Sequence, residues 1–315
     1  MADIIKALRE ATDSAGGYLV PDEFAARVLD LIQAKSITLP DLEVVSMGSD
    51  VMHIPKATGA STAYWVAETG TITASETAYG RITLTAKKVA SLIEASTEVL
   101  EDNNVSLANH LTEQMARDLA LKIDDGVLNG TGATASPFEG LRYTGSFTNA
   151  VWADGTVGTT GTGSATISLT PVSKAVDQVI QDNHPSPDIS YWAPRTVGSL
   201  RLLTDGNARP MFNNETWGSP LLKEGVLGTI YGMKVKSSTQ LPINLSYGTG
   251  SGETSNADAI VGVSKQFGLL GNRRQLRFRR DYKIATDIEQ FQATQRLAFA
   301  VKYPNAYCVI RGITD

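Results

Sequence analysis

The side chains that could do acid–base, nucleophilic or metal chemistry are few and scattered in this 315-residue sequence. His53, His110 and His184 lie far apart in the chain, and the sequence has no G-x-S-x-G or H-E-x-x-H motif around them. Asp124 and Asp125 are adjacent, but neighbouring residues of a helix point about 100° apart, which favours a solvated or ion-paired couple over a metal site. We therefore expect no catalytic residue, no cofactor and no resident metal ion.

Composition narrows the class of protein further. Cys308 is the single cysteine and lies in an apolar segment, so we expect a buried inert thiol and no intrachain disulfide. The net charge of −5 disfavours a dedicated nucleic-acid binder, which is usually basic. Residues 155–163 are rich in glycine but lack the lysine of a phosphate-binding loop. No apolar run is long enough to span a membrane and residues 1–15 do not form a signal peptide, so we expect a protein made and used inside a cell.

The densest cluster of charge is the segment 272–280, with the sequence NRRQLRFRR. On a β-strand, Arg277 and Arg279 share one face. Arg274 and Arg280 share the opposite face with Leu276 and Phe278. Three interpretations stay open: a solvated basic edge strand, ion pairs with carboxylates of another subunit such as Glu68 or Glu76, or contacts with DNA phosphates. The arginines of this basic strand are Arg273, Arg274, Arg277, Arg279 and Arg280.

A long amphipathic helix over residues 106–128 is the element around which the rest of the chain is predicted to be organised. Apolar side chains recur every four residues along it, which places them in one stripe of a helix. The helix would be about 35 Å long at 1.5 Å per residue. The stripe consists of Leu107, Leu111, Met115, Leu119, Ile123 and Val127.

A long two-stranded ribbon is predicted before this helix. Residues 63–67 lead out, residues 69–77 form a polar tip, and residues 81–99 lead back with alternating apolar and polar side chains. An isolated ribbon is marginally stable in water, so its apolar side chains need a surface to lie on. That surface is either the body of the same chain or a neighbouring copy.

The remaining segments alternate between helices and strands. Over residues 170–263 this alternation favours a separate α/β lobe inserted into a discontinuous first domain. Helices are predicted at 22–35, after Thr170, and at 194–204. Strands are predicted at 42–45, 51–55, 189–192, 229–237, 275–280, 284–288, 297–301 and 307–310.

The order of these segments resembles that of tailed-bacteriophage major capsid proteins with the Hong Kong 97-type fold. The resemblance extends from Gly17 to Gly312 and is carried by six segments in the family's order rather than by one motif. They are GGYLVP, YWVAETGTITASE with its return strand RITLTAKKVASLIEASTEVLEDN, the long helix followed by VLNGTGATASPFEGL, WAPRTVGSLRLLTDGNARPMF, TIYGMKVKSSTQLP, and IEQFQATQRLAFAVKYPNAYCVIRG.

The resemblance implies an α+β chain with an N-terminal arm, an extended β-ribbon loop, a peripheral domain with a long spine helix, and an inserted axial domain. The implied boundaries are 1–40 for the arm, 63–97 for the extended loop, 170–263 for the axial domain, and 41–62, 98–169 and 264–315 for the peripheral domain, with its spine helix at 106–128.

The resemblance also implies a structural role in a virion. The subunit would form hexamers and pentamers of an icosahedral shell around double-stranded viral DNA, with a portal protein as a further partner, no membrane, and assembly in the host cytoplasm. We expect inter-subunit contacts from the ribbon and inter-subunit or DNA contacts from the basic strand. The ribbon residues are Trp65, Glu68, Ile72, Glu76 and Ile82.

Two departures from the family pattern lead to further expectations. Fifteen residues precede Gly16, so we expect no large cleaved propeptide and a separate scaffolding protein. Residues 68–75 contain no lysine for a covalent crosslink, so we expect a non-covalent shell reinforced by a decoration protein.

Three alternatives stay open. An encapsulin, the shell protein of a cellular compartment, would have the same fold. An α/β enzyme would need a convergent set of acid, base or nucleophile, which the sequence does not offer. A tail or fibre protein would favour repeats and long β runs, which the sequence lacks.

Overall fold

The computed structural model describes residues 36–59, 61–98, 107–134, 136–143, 145–159, 164–214, 225–247 and 255–314. It is a mixed α+β chain, as the sequence predicts. The predicted helix at 22–35 and most of the predicted arm lie outside the described residues. The chain divides into two compact units. The first comprises Met1–Pro40, Lys88–Asp125 and Arg274–Arg296, and the second comprises Asp41–Lys87, Gly126–Arg273 and Leu297–Asp315.

The described residues form three α-helices, a short 3-10 helix at Leu39–Asp41, and sixteen strands. The α-helices are α1 (Leu107–Asn129), α2 (Leu169–Gln181) and α3 (Pro194–Arg201). The strands are β1 (Glu43–Ser46), β2 (Val51–Ala57), β3 (Tyr79–Thr85), β4 (Lys87–Ser96), β5 (Thr131–Ala133), β6 (Ser136–Glu139), β7 (Asn149–Trp152), β8 (Ala165–Thr166), β9 (Ile189–Trp192), β10 (Asn213–Asn214), β11 (Val226–Ile230), β12 (Met233–Ser237), β13 (Ala257–Gly262), β14 (Gly268–Lys283), β15 (Ile288–Val301) and β16 (Tyr307–Thr314).

Helix α1 confirms the predicted long helix within one residue at each end. Four side chains of its predicted stripe are almost completely buried: Met115, Leu119, Ile123 and Val127.

The prediction for the two adjacent aspartates, Asp124 and Asp125, is only half right. Asp125 forms an ion pair with Lys122, with Nζ and Oδ2 2.8 Å apart. Asp124 is buried, because it accepts hydrogen bonds from a segment more than eighty residues earlier in the sequence.

A tight glycine contact follows α1. The backbone N–H of Gly140 donates to the carbonyl of Gly130 at 2.9 Å, and the N–H of Leu141 donates to the carbonyl of Val127 at 2.8 Å. A Cβ atom on Gly140 would lie 2.4 Å from the backbone nitrogen of Gly130, so only glycine allows this approach. The short hairpin β5–β6 lies between the two glycines.

Strands β1, β14, β15 and β4 form one sheet in that order. Strand β14 is sixteen residues long, much longer than the predicted strand at 275–280. The predicted strand at 284–288 is wrong, because residues 284–287 form the turn between β14 and β15. Asp287 takes a positive φ of 50° there, a conformation that Asp and Asn tolerate better than most residues.

The second unit contains the larger sheet, in the order β10-β11-β12-β9-β13-β16-β7, with β8 also paired to β16. The predicted single strand at 229–237 is wrong, because β11 and β12 form a hairpin across Tyr231 and Gly232. Both turn residues have positive φ, 49° and 79°, which matches the right-handed twist of the two strands. Helix α2 contacts β7, β13 and β16.

This sheet joins strands that the sequence analysis assigned to different domains. Strands β9, β11, β12 and β13 fall in the predicted axial segment 170–263, whereas β7, β8 and β16 fall in the predicted peripheral domain. The division of the chain into arm, extended loop, peripheral and axial domains therefore stays a prediction. Within the part of the chain that the structure describes, no helix is both long and apolar enough to cross a membrane.

Candidate assembly surfaces

The predicted ribbon exists, but its outgoing strand is β2 rather than residues 63–67. Its return strand is β3, which covers the first part of the predicted segment 81–99, and β4 covers most of the rest. They pair in antiparallel register, with Met52 opposite Leu84 and Ile54 opposite Ile82. The inward-facing side chains pack against a cluster of the same unit that contains Met47, Leu269 and Ala298. Ile82, expected at an inter-subunit contact, therefore has a surface within its own chain.

Residues 58–78 connect β2 to β3 as a loop with two legs that lie side by side. The N–H of Thr62 donates to Ser75 Oγ at 3.1 Å, and Tyr64 Oη donates to the carbonyl of Thr73 at 3.1 Å. The N–H of Gly70 donates to the carbonyl of Ala67 at 2.8 Å and closes the turn at the end. The predicted strand at 63–67 is thus wrong, because this leg is held by side-chain hydrogen bonds and not by a β-ladder. We call residues 58–78 the assembly loop.

The end of the assembly loop exposes apolar side chains to solvent. Trp65 has a relative exposure of 103% and Ile72 one of 79%, and the two residues flank the turn at 67–70. Glu68 and Glu76 are also exposed, and the loop contains no lysine or arginine. An exposed apolar tip with two carboxylates is typical of a surface that another molecule covers.

The basic strand is the part of β14 that carries the five arginines, and it confirms the predicted alternation. Arg277 and Arg279 are exposed on one face, whereas Leu276 is buried on the other. Arg280 contacts the ring of Phe291, with its guanidinium carbon 5.6 Å from the ring centroid. Its Nε also donates to Glu289 at 2.8 Å, so its partners lie within its own chain.

Two other arginines of the basic strand, Arg273 and Arg274, also have partners within the chain. Arg273 Nε lies 3.3 Å from Asp50 Oδ1. Arg274 donates to Thr294 Oγ1 at 3.2 Å. Partial burial lowers the pKa of Arg274, and the positive charge of Arg277 lowers it further. The arginines of this strand therefore lie close enough together to repel one another.

Arg277 and Arg279 are the two arginines of the basic strand that remain available. Among the described residues, neither has a carboxylate within ion-pairing distance. Of the ten predicted contact residues, the structure thus leaves two groups open to another molecule. They are Trp65, Glu68, Ile72 and Glu76 in the assembly loop, and Arg277 and Arg279 in the basic strand.

Comparison with known proteins identifies the family to which this chain belongs. A model of the phage capsid family matches residues 16–312. The chain belongs to the phage capsid family. The major capsid protein of Enterobacteria phage HK97 is 25% identical over 226 residues, which cover 69% of this chain and 55% of that protein. The chain thus aligns with about half of the length of this relative.

Solved structures from a phage and from a GTA particle share the fold. The structure from Mycobacterium phage Adephagia has a TM-score of 0.63 at 17% identity and covers 96% of this chain and 98% of that one. The capsid of an empty GTA particle, computed with C5 symmetry, has a TM-score of 0.61 at 18% identity and covers 98% of this chain and 100% of that one. The predicted Hong Kong 97-type fold is confirmed.

One functional candidate had no clear signal in the sequence. The buried carboxylate of Asp124 binds residues 36–38, and only a three-dimensional contact shows that these residues meet. The available hint was that Asp124 directly follows the stripe residue Ile123 and so falls next to the buried face of the helix.

Proposed function

We propose that this chain is a major capsid protein, a structural subunit that assembles with copies of itself into hexamers and pentamers of an icosahedral shell around double-stranded viral DNA. The observation that carries the proposal is the fully exposed Trp65 at the end of a loop that the described residues of its own chain leave uncovered. Family membership supports a shell-forming role, and the similarity in fold to the capsid of a GTA particle agrees with it.

We propose that the assembly loop of one copy docks on the basic strand of another. The loop offers Glu68 and Glu76, and the strand offers Arg277 and Arg279, so the two surfaces have complementary charge. Charge complementarity fixes register and speeds association, while the burial of apolar side chains supplies most of the affinity. Trp65 and Ile72 would supply that apolar contact.

The same role suggests further partners and no catalysis. In this proposal the shell contacts a portal protein, packaged DNA, and separate scaffolding and decoration proteins, and it forms in the host cytoplasm. No group of three or more histidine, cysteine, aspartate or glutamate side chains lies together among the described residues in a way that would hold a metal ion. The proposed work of the chain is architectural.

A charge reversal tests the docking surface. The double variant Arg277→Glu with Arg279→Glu should fold normally, because both side chains are exposed and no carboxylate of the described residues forms an ion pair with them. It should fail to form closed particles in electron micrographs, because the strand would then repel the carboxylates of the assembly loop. The matched control is Arg81→Glu with Arg117→Glu, which makes the same change in net charge at exposed sites outside the basic strand.

The outcome separates the two partners proposed for the basic strand. Normal empty shells with reduced DNA content would assign Arg277 and Arg279 to DNA and remove them from the subunit contact. Normal shells with normal DNA content would show that the basic strand has neither role.

A further inference from the structure

A lysine lies where the ribbon joins the assembly loop, at a position where the alternation of the strand would place an apolar side chain. Met52, Ile54 and Lys56 alternate with exposed residues on β2 and share its inward face. Met52 and Ile54 pack against the apolar cluster around Met47. Lys56 is the last inward-facing residue before the loop begins at residue 58, and it contacts a different part of the same unit.

The ammonium group of Lys56 contacts the turn between β15 and β16. Its Nζ donates a hydrogen bond to the backbone carbonyl of Lys302 at 3.0 Å. The same atom lies over the ring of Tyr303, 4.8 Å from the ring centroid, which is within range of a cation–π contact. Partial burial at this place lowers the pKa of Lys56. Two neighbouring residues thus hold one side chain, and we call these two contacts the loop anchor.

The turn that receives this lysine has further contacts of its own. The N–H of Lys302 donates to the carbonyl of Phe267 at 3.0 Å, and its side chain pairs with Glu43, with Nζ and Oε2 2.5 Å apart. The ring of His184 lies beside that of Tyr303, with 5.7 Å between the two ring centroids. The carbonyl and the ring that form the loop anchor are therefore held in place by other elements of the same unit.

A small change of angle at the start of the loop becomes a large displacement at its tip. An extended leg of about ten residues spans roughly 33 Å at about 3.3 Å per residue. A tilt of about 10° at one end would therefore move the other end by roughly 6 Å. Apolar packing is non-directional and resists such a tilt weakly, whereas a hydrogen bond from a charged donor is directional.

We propose that Lys56 is a positioning residue for assembly, which fixes the direction of the assembly loop through its contacts with Lys302 and Tyr303. The loop then meets another copy of the chain already in its bound orientation, so that less conformational freedom is lost on association. The inference rests on the proposed function, because the direction of the loop matters to assembly only if its tip is covered in the particle.

Three substitutions separate the loop anchor from charge and from packing. Lys56→Met keeps an apolar stem of similar length and removes the charge and the hydrogen-bond donors. Lys56→Arg restores the charge, the donors and the contact with an aromatic ring. Lys87→Met is the matched control, because it makes the same change in net charge at an exposed position at the start of β4.

The direction of the loop is measured on the full-length chain below the concentration at which particles form. Nitroxide labels are attached at Thr71→Cys in the loop and at Gln181→Cys at the end of α2, which are exposed sites of the same unit, while the buried Cys308 takes no label. Pulsed electron paramagnetic resonance gives the distribution of distances between the labels. We expect this distribution to be about twice as wide in Lys56→Met, because a tilt at the start of the loop is amplified at its tip.

The other two variants show what causes the change in width. Lys56→Arg and Lys87→Met should both keep the wild-type distribution. A residue that only stabilises the fold would not change the width in the folded chain.

Assembly is followed on the same variants without labels. The concentration at which particles first form should rise about tenfold in Lys56→Met, because a hydrogen bond from a charged donor is among the stronger ones. Lys56→Arg and Lys87→Met should stay within about threefold of wild type, since an exposed charge contributes little.

A second perturbation keeps the test decisive if Lys56→Met does not fold. Tyr303→Leu removes the ring and leaves Lys56 and its carbonyl partner in place. It should widen the distance distribution and raise the threshold concentration, each less than Lys56→Met does. Combined with Lys56→Met, it should add less than its separate effect, because the contact between ring and ammonium is already lost.

Four results would overturn the inference. A wild-type distance distribution in Lys56→Met would show that this lysine does not set the direction of the loop. A wider distribution with an unchanged threshold concentration would show that assembly does not need the loop anchor. Failure of Lys56→Arg to restore either property would assign the effect to packing. Absence of particles from wild type would refute the proposed function and the assembly role together, while the distances would still report whether Lys56 holds the loop.

Discussion

Replacing Trp65 by serine should raise the protein concentration that assembly requires without weakening the folded chain. Trp65 is fully exposed, so the variant loses no packing within its own unit. Exposed substitutions of this kind usually change the free energy of unfolding by less than about 0.5 kcal/mol. The thermal unfolding midpoint of Trp65→Ser should therefore match that of wild type within experimental error.

The loss expected at the interface is far larger. A buried aromatic side chain removes about 150–250 Å² from water, which corresponds to about 4–6 kcal/mol gross at about 25 cal/mol per Å². Ordering of the loop and incomplete burial reduce this to about 2–4 kcal/mol, the usual range of an aromatic hot spot. Each contact between copies should then weaken by about 30- to 1,000-fold.

The assay is sedimentation velocity over a range of protein concentrations, with thermal unfolding measured on the same samples. Trp65→Ser should raise the concentration at which particles first form, and Ile72→Ser should do so to a smaller extent. Leu84→Ala is the opposite control. Leu84 lies on the ribbon strand β3 and its side chain is fully buried in the cluster with Met47 and Leu269, so its truncation should cost about 3–5 kcal/mol of stability.

Two results would refute this reasoning. An unchanged threshold concentration in Trp65→Ser would show that the tip of the assembly loop is not covered in the particle. A fall of several degrees in its unfolding midpoint would show that Trp65 packs within its own chain.

Two further predictions concern the fold. In urea titrations, Gly140→Ala should lose about 1–3 kcal/mol of stability, because its new Cβ atom would meet backbone atoms. Gly198→Ala in α3 should gain up to about 1 kcal/mol, because its Cβ atom would meet nothing within 4 Å. Equal effects of the two substitutions would refute the tight contact at Gly140. The hydrogen bond from Tyr282 lowers the pKa of Asp287 below its ordinary value of 3.8, so the stability it adds is present above that pH and is lost as the pH falls through the lowered pKa. The difference in unfolding midpoint between wild type and Asp287→Asn should therefore be constant above about pH 5 and shrink below about pH 4. A difference that grows on acidification would contradict the lowered pKa of Asp287.

The sequence predicted helix α1 well because its signal is local. An apolar residue every fourth position defines a helical stripe without reference to the rest of the chain, and Met115, Leu119 and Ile123 are buried accordingly. The burial of Asp124 could not be predicted in the same way. Its partners at residues 36–38 are 86 to 88 positions away, so no spacing rule connects them.

The ribbon shows a different limit of sequence reasoning. Alternation correctly indicated extended chain around the assembly loop, but alternation specifies a face and not a partner strand. Alternation therefore could not show that β3 pairs with β2 and not with residues 63–67. It also left open which surface Ile82 would cover. The hairpin turn at Tyr231 and Gly232 was missed because tyrosine seldom takes a positive φ.

The proposal that this chain works by associating with itself is tested most directly by electron microscopy of the purified full-length protein, with sedimentation of the same sample. We predict closed, roughly spherical particles of uniform size that dissociate into folded subunits when Trp65 is replaced by serine. A wild-type chain that stays a well-folded monomer at high concentration would contradict the proposal.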